Sequence, residues 1–342
     1  MPAAPTRHRP RTPRLISAAT LALASSLALA GCGAVQANQG DQASAGTSSG
    51  VAAERQVTHA MGTTAVRGTP QRVAALDQSY VEAASLLRTP VVAYTTYHSI
   101  QGAVPAHLGS AGTTYVGNAT AIGTLQEPSL EKLTTTKPDL ILSAKLRHEK
   151  LYSQLSAIAP TVMSETTGPT WKENILLAGR ALGKEDLAKE RMAEYEKQAK
   201  AVGDAIKAKL GRNPEISVVR FMDGRTRLYQ AKSFSGIVLK DAGLARPAPQ
   251  AAEEFAAEIS EEKIPQADGD KVFVTVSDPE QGKSTKLKST FEANPLWRPI
   301  APKTVAVNDQ TWMTAVSVQG AYKILEDLAK AYGVPGPAPL AD

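Results

Sequence analysis

Two stretches of alternating short apolar runs and helix-like segments flank residues 171–210, which hold a helical pattern; this layout constrains the fold more than any other feature. In the first stretch Arg72–Leu76, Val91–Thr95 and Pro138–Ala144 read as strands, with helices or helix starts at Ser79–Leu87 and Ser129–Thr134. Trp171–Leu182 has apolar residues at helical spacing, Gly183 reads as a break, and Lys184–Leu210 continues with alanines, Lys/Glu pairs and no proline. A solvated helix face accounts for those charges. In the last stretch Ile216–Phe221, Lys271–Val276 and Thr304–Val307 read as strands, and Ser235–Asp241 and Val318–Ala331 as helices. Strands alternating with helices predict α/β units with mostly parallel sheets. At 342 residues, 42% of them hydrophobic, two lobes fit better than one domain.

A short internal repeat points the same way. Ser129, Glu131 and Asp139 precede the strand Leu140–Leu142, and Ser260, Glu262 and Asp270 precede Val272–Val274 in the same register. The expected architecture is two α/β lobes joined by a helix.

The N-terminus carries Arg7, Arg9, Arg11 and Arg14, no acidic residue, and then an apolar run from Leu15 to Ala30. This is the pattern of a secretion signal, and the run is short for a permanent membrane span. It ends at Gly31-Cys32, and Cys32 is the only cysteine, so no disulfide forms within the chain. Small residues before a lone cysteine resemble a bacterial lipobox, which implies cleavage before Cys32 and acylation of that residue. The small polar residues that follow read as a flexible tether. The expected organisation is a signal peptide over 1–31, a tether over 32–54, an N-terminal lobe over 55–169, an interlobe helix and following helix over 170–210, a C-terminal lobe over 211–334 and a frayed Pro-rich tail over 335–342. Four of the five net positive charges lie in the signal segment, so the mature chain is near neutral and a nucleic-acid partner has no support.

No phosphate-binding loop, dinucleotide fingerprint or H-E-x-x-H occurs. The string Gly46-Thr-Ser48-Ser-Gly50 lies in the tether, without the strand and helix of a nucleophile elbow. His59, His98, His107 and His148 are irregularly spaced, so no metal site is expected from them. Nothing argues for an enzyme or a resident cofactor. Aromatic and cationic residues instead gather near strand ends, where α/β sheets bind ligands. Tyr80, Tyr94, Tyr97, Arg147, His148 and Trp171 hold such positions in the first half, and Arg220, Phe234 and Trp312 in the second.

Three segments carry a family resemblance: Gly123-Thr-Leu-Gln-Glu-Pro-Ser-Leu-Glu-Lys-Leu133, Lys137-Pro-Asp-Leu-Ile-Leu-Ser143, and Arg147-His-Glu-Lys-Leu-Tyr152 running on to Ile158-Ala-Pro-Thr-Val162. Val218–Phe221, Arg227–Gln230, Ser233-Phe-Ser-Gly-Ile-Val-Leu239 and Asn294-Pro-Leu-Trp297 agree with them. Together they resemble the substrate-binding proteins of bacterial iron–siderophore ABC importers, from about residue 55 to residue 332. The resemblance implies an α/β fold of two Rossmann-like lobes joined by a long α-helix (the class III periplasmic-binding-protein fold). It further implies capture of a ferric siderophore in a shallow cleft, delivery to the permease subunits, a lipid anchor on Cys32 facing outward from the cell membrane of a Gram-positive bacterium, and a monomer. Glu131 and Glu262 match acidic positions that meet permease arginines in the family, and a helix-start carboxylate is their plainer reading. One departure stands out: no arginine lies between Gly123 and Pro128, where some hydroxamate binders carry one, so Arg147 and Arg220 become candidates for its role.

A ferric chelate brings its iron already coordinated and needs a surface suited to its oxygens. Arginine forks and amphipathic aromatics supply that. With Arg147, Arg220 and Arg227 as cleft candidates, a hydroxamate complex is the expected ligand, since anionic complexes call for a larger basic cluster. Haem held by Tyr97 or His98, cobalamin, or zinc held by His98 and His148 are the alternatives.

Overall fold

The computed structural model describes residues 53–96, 104–278 and 282–340. The expected signal peptide, Cys32 and the tether to residue 52 lie outside the described residues, as do Tyr97 and His98.

An antiparallel hairpin, β1 (Glu54–His59) and β2 (Gly62–Arg67), opens the fold. The alternation that would announce it is weak, because Val57 and Val66 are its only fully buried residues. It is tied to the lobe by Arg55, which donates to the carbonyls of Arg180 and Ala181. The N-terminal sheet follows: β3 (Val73–Ala75), β4 (Val91–Thr96), β5 (Thr120–Thr124), β6 (Leu140–Ala144) and β7 (Thr161–Ser164), all parallel in the order β5-β4-β3-β6-β7. Its helices are α1 (Gln78–Leu86), α2 (Gly109–Val116), α3 (Leu130–Thr135), α4 (Lys145–His148) and α5 (Tyr152–Ile158). Both faces of the sheet are covered, so its strands read as continuous apolar runs. Ala74, Ile141 and Met163 pack into one core, and Ala75, Leu142 and Val162 into the other.

Helix α6 (Trp171–Leu182) ends at Gly183, which takes the left-handed conformation at φ 69°. Helix α7 (Glu185–Leu210) then runs 26 residues, about 39 Å at 1.5 Å per residue, and links the lobes. Its buried stripe of Ala188, Met192, Tyr195, Ala199, Val202 and Ile206 recurs every three or four residues, and its charged residues are mostly exposed.

The C-terminal lobe holds β8 (Ile216–Met222), β9 (Arg225–Tyr229), α8 (Phe234–Asp241), β10 (Ala256–Ile259), β11 (Lys271–Val276), α9 (Lys283–Ala293), β12 (Thr304–Ala306) and α10 (Val318–Tyr332). The sheet order is β10-β9-β8-β11-β12; β8, β11 and β12 are parallel, and β9 runs antiparallel to both its neighbours. The sequence carries the signal for this β8–β9 hairpin: Asp223-Gly224 separates the two runs, a favoured two-residue connection.

The internal repeat is physical. The Asp139 carboxylate accepts from the backbone N–H of Gln71 (2.7 Å) and Arg72 (2.9 Å), just before β3. Asp270 accepts from the Glu215 N–H (2.8 Å), just before β8, and from both terminal nitrogens of Arg212. Each aspartate ties the entry of its own strand to the entry of the neighbouring first strand. The tail departs from expectation. Residues 335–340 are not frayed: Ala338 N–H donates to Gln198 on α7, and Leu340 packs against the main core.

Candidate binding cleft

The N-terminal wall is built from strand ends, where parallel sheets expose loop backbone and helix starts. Asp77 and Gln78 follow β3, Gln126 follows β5, Leu146 and Arg147 follow β6, and residues 166–169 follow β7. Asp77 caps α1 by accepting from the Ser79 N–H (3.0 Å), and its other oxygen accepts from Arg147 Nε at 3.2 Å. One carboxylate thus starts a helix and aims a guanidinium.

Strand alternation builds the other wall. Arg220 and Met222 on β8, and Arg225, Arg227 and Tyr229 on β9, point to the same side. Arg220 and Arg227 sit directly opposite each other, and Glu258 on β10 is the next residue in that row. Like charges facing across strands repel, so each needs its own acid. Asp309 holds Arg220 through two bonds of 2.7 Å, and Glu258 takes Arg227 at 2.9 Å and Arg225 at 3.5 Å. Burial works against the Arg220 charge, but Tyr229 and Asp309 outweigh it and hold the guanidinium firmly charged. Phe234, Phe255, Trp312 and Met313 complete a cleft of roughly 530 Å³. At its edge Leu146 is 62% exposed and Phe255 43%, giving the cleft an apolar rim.

The structure separates the candidates. Arg147, Arg220, Phe234 and Trp312 line this cleft. Trp312 stacks on Phe273 at 4.8 Å and donates to Asp327 at 2.7 Å. Tyr80, Trp171 and His148 do not line it. Tyr80 lies in the core, where burial pushes its hydroxyl above the usual phenol range. Trp171 is core as well, edge-on to Tyr195 and Phe234, because α6 turns its first residue inward against α7 and α8. His148 is spent in the interior: Nε2–H donates to the Leu125 carbonyl at 2.7 Å, leaving Nδ1 to accept from Ser143 at 2.8 Å. Burial holds it below the usual imidazole range. It fixes the β6–α4 turn beside Arg147 and is closed to a zinc ion. Among the described residues, no group of three or more His, Cys, Asp or Glu is placed to hold a metal. Arg225, Met222 and Tyr229 are cleft residues that the strand-end reading passed over; the Asp-Gly turn and period-two spacing carry their signal.

Glu131 and Glu262 are both exposed. Glu131 lies in the first turn of α3, just past β5, and Glu262 lies just past β10. These are the edge strands of the two sheets, and both run toward the cleft.

Residues 73–310 match the profile of the periplasmic binding proteins. The chain is 33% identical over 293 residues to the probable siderophore-binding lipoprotein YfiY of Bacillus subtilis, spanning 80% of this chain and 86% of that one. It is 28% identical to the Fe(3+)-citrate-binding protein YfmC of the same organism, over 93% and 96% of the two chains. Among solved structures, SirA of Staphylococcus aureus complexed with staphyloferrin B superposes with a TM-score of 0.75 at 28% identity, covering 82% of this chain and 99% of that one. A match over more than half the chain, on a fold whose two sheets present their strand ends to one cleft, is membership and not mere likeness: the chain belongs to the periplasmic binding protein family, a family of binding proteins and not of enzymes.

Proposed function

We propose that this protein captures a ferric siderophore in the cleft and delivers it to an ABC importer. The observation that carries the reading is the cleft wall itself. Four arginines and an apolar rim, with no metal-ligating cluster among the described residues, suit a chelate that arrives with its iron already wrapped. The relatives named for siderophores and ferric citrate support it.

The ligand class shifts from the sequence expectation. Two or three cleft arginines favoured a hydroxamate complex. Arg225 raises the number to four, against Asp77, Asp309 and Glu258 as their acids, and this leaves a surplus of positive charge. That balance favours an anionic chelate, and the relative named for ferric citrate supports a carboxylate-rich one. A panel of ferric citrate, ferrioxamine, ferrichrome and a ferric catecholate, titrated by quenching of tryptophan fluorescence, tests both levels. Ferric citrate or another carboxylate complex is expected to bind most tightly, with no response to free ferric iron. Tightest binding of a hydroxamate would overturn the ligand class, and silence from every chelate would overturn the function.

Delivery requires a place at the membrane and a docking face. We assign the anchor to acylated Cys32 on the outer face of a Gram-positive cell membrane, with the protein acting as a monomer. Glu131 and Glu262, one beyond each edge strand, are assigned to permease contact.

A further inference from the structure

Behind the cleft, Glu82 of α1 is fully buried. A buried carboxylate is costly unless hydrogen bonds surround it. Here they come from three directions. Oε1 accepts from His107 Nε2 at 2.9 Å and from Gln78 Nε2 at 3.2 Å, and Oε2 accepts from the Ser317 hydroxyl. The Glu82 carbonyl also accepts from Gln319 Nε2 at 3.0 Å.

The partners matter more than the number of bonds. Gln78 stands on the N-terminal wall of the cleft, next to Asp77. Ser317 caps α10, accepting from the Gly320 N–H, and the residues just before it supply Trp312, Met313, Thr314 and Val316 to the opposite wall. A tight turn joins these: Ala315 N–H donates to Gln310, Val316 to Thr314 and Ser317 to Ala315, each at 2.8 Å. A shift of Ser317 therefore carries into the wall. We infer that Glu82 is a positioning residue of the binding cleft, holding the α1 wall and the 312–316 wall in one fixed setting. The inference rests on the cleft being the ligand site.

His107 gives this device a pH dependence. Burial disfavours its charge, but the Glu82 carboxylate outweighs burial and holds the imidazole above its usual range, with Lys323 of α10 opposing. The other charged groups around the pocket that His107 lines are Arg88, Arg191 on α7, and Glu326, which pairs with Lys323. A raised value means the His107–Glu82 attraction is fully present below about pH 6.5 and is lost as pH rises through the folded value.

The test compares wild type with Glu82→Gln in two ways. Without ligand, hydrogen exchange is expected to speed up about tenfold at residues 78–82 and 312–320 while α9 is unchanged. With ferric citrate as probe, the dissociation constant is expected to rise about tenfold near pH 6. The ratio of the variant's constant to that of wild type, which cancels titration of the chelate, is expected to shrink above that range. Ser317→Ala removes a single bond and serves if Glu82→Gln does not fold; it is expected to loosen residues 312–320 in the same way. Unchanged exchange at both walls overturns the proposal, as does a ratio near one or one independent of pH. If wild type binds no chelate, the functional reading falls, while the exchange comparison still decides whether Glu82 holds the walls.

Discussion

Arg147 and Arg220 face one cleft but differ in what their removal leaves behind. The Arg147 side chain is 29% exposed, and although its partner Asp77 is buried, that carboxylate keeps its bonds to Ser79 when Arg147 is removed, so the pair contributes only about 1 kcal/mol to stability. Arg147→Ala is expected to leave the melting temperature within a few degrees of wild type and to weaken chelate binding about tenfold or more, as loss of a charged hydrogen bond does. Arg220 is buried between Asp309 and Tyr229. Arg220→Ala strands a carboxylate and is expected to cost about 3–5 kcal/mol, read as an early thermal transition by circular dichroism. Equal stability losses would contradict the distinction. Residue type and strand-end position identified both arginines in the sequence. The same reasoning could not separate Trp312 from Trp171, because both follow loops and the difference lies in what packs around them: Phe273 and the cleft for one, Tyr195 and Phe234 for the other.

Elements were legible where their periodicity was strong. The buried parallel strands and the stripe of α7 stand out, because a strand covered on both faces is a run of apolar residues and a helix packed on one side repeats every three or four. The edges of the fold were harder to read. The β1–β2 hairpin is mostly polar and β10 is only four residues long, and their pairing partners supply what their sequences lack. Helix α7 also carries a contact that no periodicity reveals. A Cβ on Gly203 would lie 1.7 Å from the Ala242 carbonyl oxygen at the end of α8, so α7 seats on the C-terminal lobe only because that position has no side chain. Gly203→Ala would raise helix propensity in isolation, yet it is expected to destabilise the protein by about 1–3 kcal/mol or more, measured by denaturant unfolding. A stabilised variant would show that the interface yields easily.

At the scale of the whole molecule, the proposed function depends on the cleft, the proposed docking face and the proposed anchor together. Replacing Glu131 and Glu262 by alanine is expected to lower iron uptake while leaving chelate affinity unchanged, because both lie beyond the edge strands and outside the cleft. Cys32→Ser is expected to move the protein from the membrane to the soluble fraction. A fall in affinity in the first case, or membrane retention in the second, would refute the assignment. The sequence by itself determined the two α/β lobes and the helix between them, because these follow from local periodicity; the signal segment and the near-neutral charge left after its removal remain expectations of the sequence. Only the tertiary structure decided which side chains share the cleft. Alternation assigns a residue to one side of a strand, but the meaning of that side depends on the neighbouring strands: Arg227 gains its place from Arg220 and Glu258 beside it. Glu82 is the extreme case. It reads as an ordinary helical position until the fold brings up Ser317, 235 residues away, and turns a buried charge into the joint between two walls.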